Sequence, residues 1–182
     1  MDHNSPIVSC KKDLIDFLKS RKELNYVDIR ENYIKTDKDL PLKKPLITIS
    51  KGKMIGKDIS YQNYFGEIYD DDSNEIIETK GKILNLYYDI HIWNGISPKL
   101  GGEKEIERIQ EKIQSIVEFE SNALENKGIT FFNFEEGTAI EDPFENYLFH
   151  CRCTIQLQVL WKKEFRYEVM DEIESHGEIE EG

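Results

Sequence analysis

Cysteine, proline, positive charge and long apolar runs are all in short supply in this sequence of 182 residues. Its cysteines are three, Cys10, Cys151 and Cys153, an odd number that gives no disulfide framework. Cys151 and Cys153 are two positions apart on one face of an expected strand, too far apart to bridge comfortably. All three read as small buried hydrophobes of a reducing compartment. No apolar run approaches the ~18 residues of a membrane span. The first residues, Met1-Asp2-His3-Asn4-Ser5-Pro6, have neither the basic nor the apolar region of a signal peptide. The expectation is therefore a protein made and kept in the cytosol, unless it leaves inside a particle.

Lys and Arg number 24 against 36 Asp and Glu, a net charge of −12. Half of that excess falls in residues 163–182, where Glu164, Glu168, Asp171, Glu172, Glu174, Glu178, Glu180 and Glu181 outnumber Lys163 and Arg166. Such a surface repels phosphate backbones and excludes wrapping of nucleic acid through basic contacts, although DNA can still slide past. With 38% hydrophobic and 33% charged residues, one sheet-and-helix layer with much wet surface fits better than a thick multilayer enzyme.

Motifs that carry chemistry are few. His150 alternates to the opposite strand face from Cys151 and Cys153, and no second Cys-x-x-Cys or His-x-x-x-His completes a zinc site. The acids Asp70-Asp71-Asp72 are consecutive and lack the glycine of a calcium loop, so they read as a solvated turn. Gly101-Gly102 precedes a helix, as in a phosphate loop, but Glu103, Lys104 and Glu105 follow, and acids there repel phosphate. His91 lies near Asp89 on one strand face, which suits either a general base or a polar pair at an interface. The nine Tyr, nine Phe and two Trp interleave with acids and amides, which fits core and subunit contacts better than single-strand binding.

Regular structure is better marked. From Tyr147 to Trp161 every odd position is apolar, and the even positions include His150, Arg152, Thr154, Gln156 and Gln158, the period of a half-buried strand. Residues 82–93 form a second long strand, with Leu84, Leu86, Tyr88, Ile90 and Ile92 on one face and Asn85, Tyr87, Asp89, His91 and Trp93 on the other. Both exceed the usual strand of about five or six residues, so each must project, bend or pair with another subunit. Ser5 and Pro6 start a helix whose stripe is Ile7, Cys10, Leu14, Phe17 and Leu18. A second helix is expected from Glu103 to about Leu124, with Ile106, Ile109, Ile113, Ile116, Val117 and Leu124 inward and Glu107, Glu111, Arg108 and Lys112 on a solvated outer face, stopped by Lys127-Gly128. Tyr26–Arg30 and Leu46–Ser50 read as short strands, the latter broken by Gly52 and Gly56. Residues 61–69 form a hairpin with the next strand, and Ile129–Phe134 a further strand. The expected fold class is α+β: an antiparallel or mixed sheet of four to six strands with two amphipathic helices packed on one face. Residues 1–162 make one domain, followed by an acidic tail, 163–182, that begins as a short helix.

Asp13-Leu14-Ile15-Asp16-Phe17-Leu18, the strand entry Leu42-Lys43-Lys44-Pro45-Leu46-Ile47-Thr48-Ile49, the strand ending Asp89-Ile90-His91-Ile92-Trp93 and the Gly101-Gly102 helix with Ile106, Ile109 and Ile113 together resemble the tail terminator (tail completion) proteins of tailed phages and related contractile particles. The resemblance covers roughly residues 7–162. It implies a non-enzymatic virion protein without cofactor, metal or catalytic residues. Such a protein forms a homo-hexameric ring that caps the head-proximal end of the tail tube, ends tube growth and offers its upper face to a neck or connector protein. DNA passes through the channel without specific binding, and no membrane is involved. Two alternatives stay open: another head-tail connector or neck protein, and a small enzyme or nucleotide-binding protein using Asp89, His91 or His150. Tyr87, His91 and Trp93 on the first long strand, with Arg152 and Gln156 on the second, are the expected subunit-contact residues.

Overall fold

A computed structural model describes residues 6–31, 42–95, 98–141 and 148–169. It is an α+β fold with a mixed, mostly antiparallel sheet and three helices. In chain order the elements are α1 (Pro6–Lys19), β1 (Asp28–Arg30), β2 (Leu46–Asp58), β3 (Tyr64–Asp70), β4 (Glu75–Gly95), α2 (Gly102–Phe119), α3 (Asn122–Glu125), β5 (Ile129–Glu135), β6 (Ile140–Glu141) and β7 (Leu148–Glu168). Hydrogen-bonded neighbours run β1-β2-β4-β7-β5, with β3 beside β4 and β6 beside β7.

Strand directions follow from the pairs. β1 and β2 are parallel, with Ile29 opposite Ile47. Across β2 and β4, Thr48 meets Trp93 and Ser50 meets His91. Across β7 and β4, His150 meets His91, Arg152 meets Asp89 and Gln156 meets Asn85. In both series one number rises as the other falls, which is the antiparallel pattern. β5 and β6 also pair antiparallel with β7. A bulge between Phe131 and Asn133 leaves Phe132 largely exposed.

The chain divides into two compact units, residues 1–57 with 83–160 and residues 58–82 with 161–182. The first holds the hydrophobic core. Ile47 and Ile49 of β2, Leu84 through Ile92 on the even positions of β4, and Cys151, Cys153, Ile155 and Leu157 of β7 are all buried on one sheet face. Both long helices cover that face. The Tyr88 hydroxyl donates to the Ile7 carbonyl of α1 at 2.7 Å. Both the Cys151 and Cys153 thiols reach the Gln110 side chain of α2, at 3.1 and 3.2 Å. Leu14, Phe17 and Leu18 of α1 and Ile106, Ile109, Ile113, Ile116 and Val117 of α2 fill the layer between, each such side chain stabilising the fold by roughly 1.5–3 kcal/mol relative to exposure.

The second unit is built differently. β3, the first residues of β4 and the last of β7 make antiparallel ribbon, and none of its described apolar side chains is buried. Tyr61 is 86% and Ile68 72% exposed. Polar contacts tie it together: Arg166 to Glu75 at 3.1 Å, Lys82 to Asp58 at 3.0 Å, and the Lys162 ammonium over the Phe65 ring at 4.0 Å. The acidic run forms the hairpin turn, with the Asp72 N–H donating to Asp70 Oδ1 and Asn74 at positive φ.

Several expectations need correction. β2 is not broken at Gly52 and Gly56 but runs from Leu46 to Asp58. At Gly52 a Cβ would stand 2.8 Å from the Tyr87 carbonyl oxygen, so glycine permits the close approach of β2 to β4. Tyr26 and Val27 lie in the turn before a three-residue β1. β4 and β7 each reach 21 residues, longer than the sequence pattern indicates. Residues 163–168 continue β7 as strand, in place of the short helix that the sequence suggests. Helix α2 ends at Phe119, not near Leu124. There Arg21 takes both the Glu120 carboxylate, at 2.8 Å, and its carbonyl, at 3.3 Å. The Leu124 N–H that would have used that carbonyl bonds Ser121 instead, starting the single turn of α3. Ser5, Tyr147 and residues 170–182 lie outside the described residues.

Candidate functional site

Because the helices occupy one face of the first unit's sheet, its other face carries the odd positions of β4, the even positions of β7 and Thr48 and Ser50 of β2. Among the described residues no helix covers it. The five expected contact residues, Tyr87, His91, Trp93, Arg152 and Gln156, all lie on this face. The period-two pattern sends them there, and the β4–β7 register sets them side by side.

The face is a ladder of paired polar groups. At one end Asn85 Oδ1 accepts from Gln158 Nε2 at 2.9 Å and from Gln156 Nε2 at 3.4 Å. Tyr87 carries the Lys53 ammonium 4.6 Å above its ring. The nearly buried Asp89 accepts from Arg152 Nη2 at 2.8 Å and from Thr154 Oγ1 at 3.2 Å. At the other end His91, Trp93 and His150 form a stack. The Trp93 and His150 centroids are 4.0 Å apart with planes 14° from parallel, and His91 lies 5.2 Å from His150. The indole N–H of Trp93 donates to Thr48 Oγ1 at 3.2 Å. Offset stacking and the satisfied hydrogen bonds fix these rings in place.

His91 is 6% exposed and sits between two polar partners. Its Nε2 is 3.2 Å from Ser50 Oγ and its Nδ1 is 2.9 Å from His150 Nε2. The second contact joins two ring nitrogens, so one of them must be without a proton. Burial, then the neighbouring His150, push the His91 pKa down from 6.5 to about 4; Asp89 opposes the shift and Arg152 adds to it.

Ser50, His91 and His150 share the connectivity of a hydroxyl nucleophile, a base and an orienting group. The energetics point the other way. A base poised near neutral pH is the effective one, and a ring with a pKa near 4 accepts a proton poorly at pH 7. Asp89 is engaged by Arg152 and Thr154 on this same face.

Cys151 and Cys153 are free thiols with sulfurs 3.7 Å apart, on the helix side of β7 and away from His150. Their contact, and then burial, push Cys153 well above an ordinary thiol. Both thiols and the Gly137 N–H converge on the Oε1 of Gln110, locking α2, β7 and the 136–139 segment together. Sequence reasoning missed Gln110 and Ser50, since neither carries a motif; only the β2–β4 register brings Ser50 to His91. Gly101 and Gly102, both at positive φ, turn the chain into α2. Asn94 Nδ2 holds that turn through the Leu100 and Gly102 carbonyls at 2.8 and 2.9 Å. No protein-family model matches this sequence, and no curated protein matches it.

Proposed function

We propose that this chain is a structural assembly protein that works as a homo-oligomeric ring, and specifically a tail terminator capping the head-proximal end of a phage or phage-like tail tube. The observation that carries the reading is the pair of 21-residue strands, β4 and β7, that run from the cored first unit into a second unit without a core. A ribbon whose described apolar side chains are all at least partly exposed is stabilised most readily by a neighbour that covers them. β3 adds an edge whose Tyr64, Phe65, Ile68 and Tyr69 are exposed, a ready surface for pairing or packing. The polar ladder of the first unit supplies specificity for a wet contact. The net charge of −12 suits a channel through which DNA passes without counterion release. On this reading the chain needs no cofactor, belongs to the virion, assembles in the host cytoplasm, and touches the tube protein on one side and a neck or connector protein on the other.

Native mass measurement of the purified protein tests it. A ring of about six copies is expected, and mixing with tube protein is expected to yield capped tubes of fixed ends. A monomer at high concentration that leaves tube growth unchanged refutes the assembly reading. A ring that binds the connector but leaves tube growth unchanged moves the protein to the neck. The Ser50–His91–His150 chain favours one second reading, a small hydrolytic enzyme; His91→Ala would then abolish turnover of an ester substrate, whereas on the assembly reading it weakens association.

A further inference from the structure

The first unit has an open cleft of about 600 Å³ beside the start of α2, lined by Tyr26, Lys44, Lys99, Arg108, Lys112 and Glu105, with Pro45, Leu100 and Gly101 completing the wall. Among the described residues four cations face one carboxylate, in a chain with a net charge of −12. That acid is already engaged. Glu105 accepts from the Tyr26 hydroxyl at 2.8 Å and from Arg108 at 3.2 Å, and Lys112 donates to the Tyr26 oxygen at 3.1 Å. Lys44 and Lys99 are exposed and have no carboxylate partner among the described residues. Asn94, clamping the carbonyls on either side of Gly101, holds the wall that carries Lys99. The result is a preformed concave surface with surplus positive charge.

We infer that this cleft receives the acidic segment 171–181 of a second copy of the chain. That segment has six carboxylates, Asp171, Glu172, Glu174, Glu178, Glu180 and Glu181, and no Lys or Arg. It is the strongest concentration of negative charge in the sequence, and the cleft is its electrostatic complement. A cleft on one copy holding a segment from the next is a head-to-tail contact, the kind that closes into a ring. The inference rests on the assembly reading for its choice of a second copy. Lys44 and Lys99 supply the free charges, and Arg108 and Lys112 are held in place by the Tyr26–Glu105 pair.

The test is zero-length carbodiimide cross-linking of the full chain, using an equal mixture of light and ¹⁵N-labelled protein. Isopeptide bonds from Lys44 or Lys99 to the 171–181 carboxylates are expected, with one light and one heavy partner. Their yield should fall severalfold as the screening length shrinks from about 10 Å at 0.1 M salt to about 3 Å at 1 M. Lys44→Glu with Lys99→Glu should remove these links, read as loss of the mixed-isotope oligomer. Adding Glu178→Lys, Glu180→Lys and Glu181→Lys should restore that oligomer. Links carrying only one isotope place the segment in its own chain and overturn the inference. So does a cleft that binds added inorganic phosphate but gives no link from Lys44 or Lys99 to residues 171–181, which would make it a small-anion site. A ring by native mass in the Lys44→Glu/Lys99→Glu variant sinks this contact but leaves the assembly reading intact. Mixed-isotope links in a protein that stops at dimers sink the ring and leave this contact standing.

Discussion

Replacing His91 by Gln isolates the energetic consequence of burying an imidazole in the polar ladder. The folded ring titrates near 4 and the unfolded one near 6.5. The folded pKa is depressed, so between those values the unfolded chain binds more protons. The stabilisation is complete above about pH 6.5, falls as the pH drops, and is gone below about pH 4. At about 1.4 kcal/mol per pKa unit the ceiling is about 3 kcal/mol. Relaxation and water penetration around a sheet face that no described helix covers reduce the observable effect to about 1–2 kcal/mol. The charged and titratable groups facing the ring are His150, Asp89 and Arg152, with Ser50 and Trp93 in contact, and the first three remain in the variant. Urea unfolding at pH 7 and pH 4.5 should therefore show wild type losing about 1–2 kcal/mol more than His91→Gln over that interval. An imidazole proton titration by NMR should place His91 near 4. Equal pH dependence in the two proteins, or a His91 midpoint near 6.5, would refute the assigned burial and its cause.

Four further variants have outcomes set by the packing. Gly137→Ala puts a methyl 2.0 Å from the Arg152 carbonyl oxygen, a backbone atom that cannot swing away, so a loss of at least about 3 kcal/mol and a Tm lower by roughly 6–12 °C are expected. Gly128→Ala is the contrast: nothing lies within 4 Å, and only its φ of 74° resists, at about 1–2 kcal/mol; thermal melts that rank the two the other way contradict the geometry. Gln110→Leu strips the shared acceptor from two thiols and the Gly137 N–H, which should cost about 1–3 kcal/mol and speed hydrogen exchange at the Gly137 amide. Ile68→Asp, on a side chain 72% exposed, should leave the melting of the isolated chain within about 0.5 kcal/mol of wild type while reducing self-association; sedimentation showing unchanged oligomers would take β3 out of the subunit contact.

Hydrophobic period alone determined a good deal of this molecule. The alternation through residues 82–93 and 148–161 specified two strands with one wet face, because a strand sends successive side chains to opposite sides whatever it pairs with. The same rule put Tyr87, His91 and Trp93 together, and Arg152 with Gln156, before any register was known. The stripes Leu14–Leu18 and Ile106–Val117 likewise marked the two helices, and Asp70–Asn74 the hairpin turn. Tertiary structure decided what spacing cannot encode. Gly52 looks like a strand breaker until Tyr87 is seen pressing on it, and the end of α2 is set by Arg21, distant in sequence, competing for the Glu120 carbonyl. Ser50 meets His91, Gln110 meets two thiols, and Lys44 meets Lys99 and Lys112 across one cleft only because separate elements are brought together. Arg108 and Lys112 read as an ordinary solvated face for the same reason: a local pattern reports which side of an element is wet, whereas the partners across that water are chosen by the packing of the whole chain.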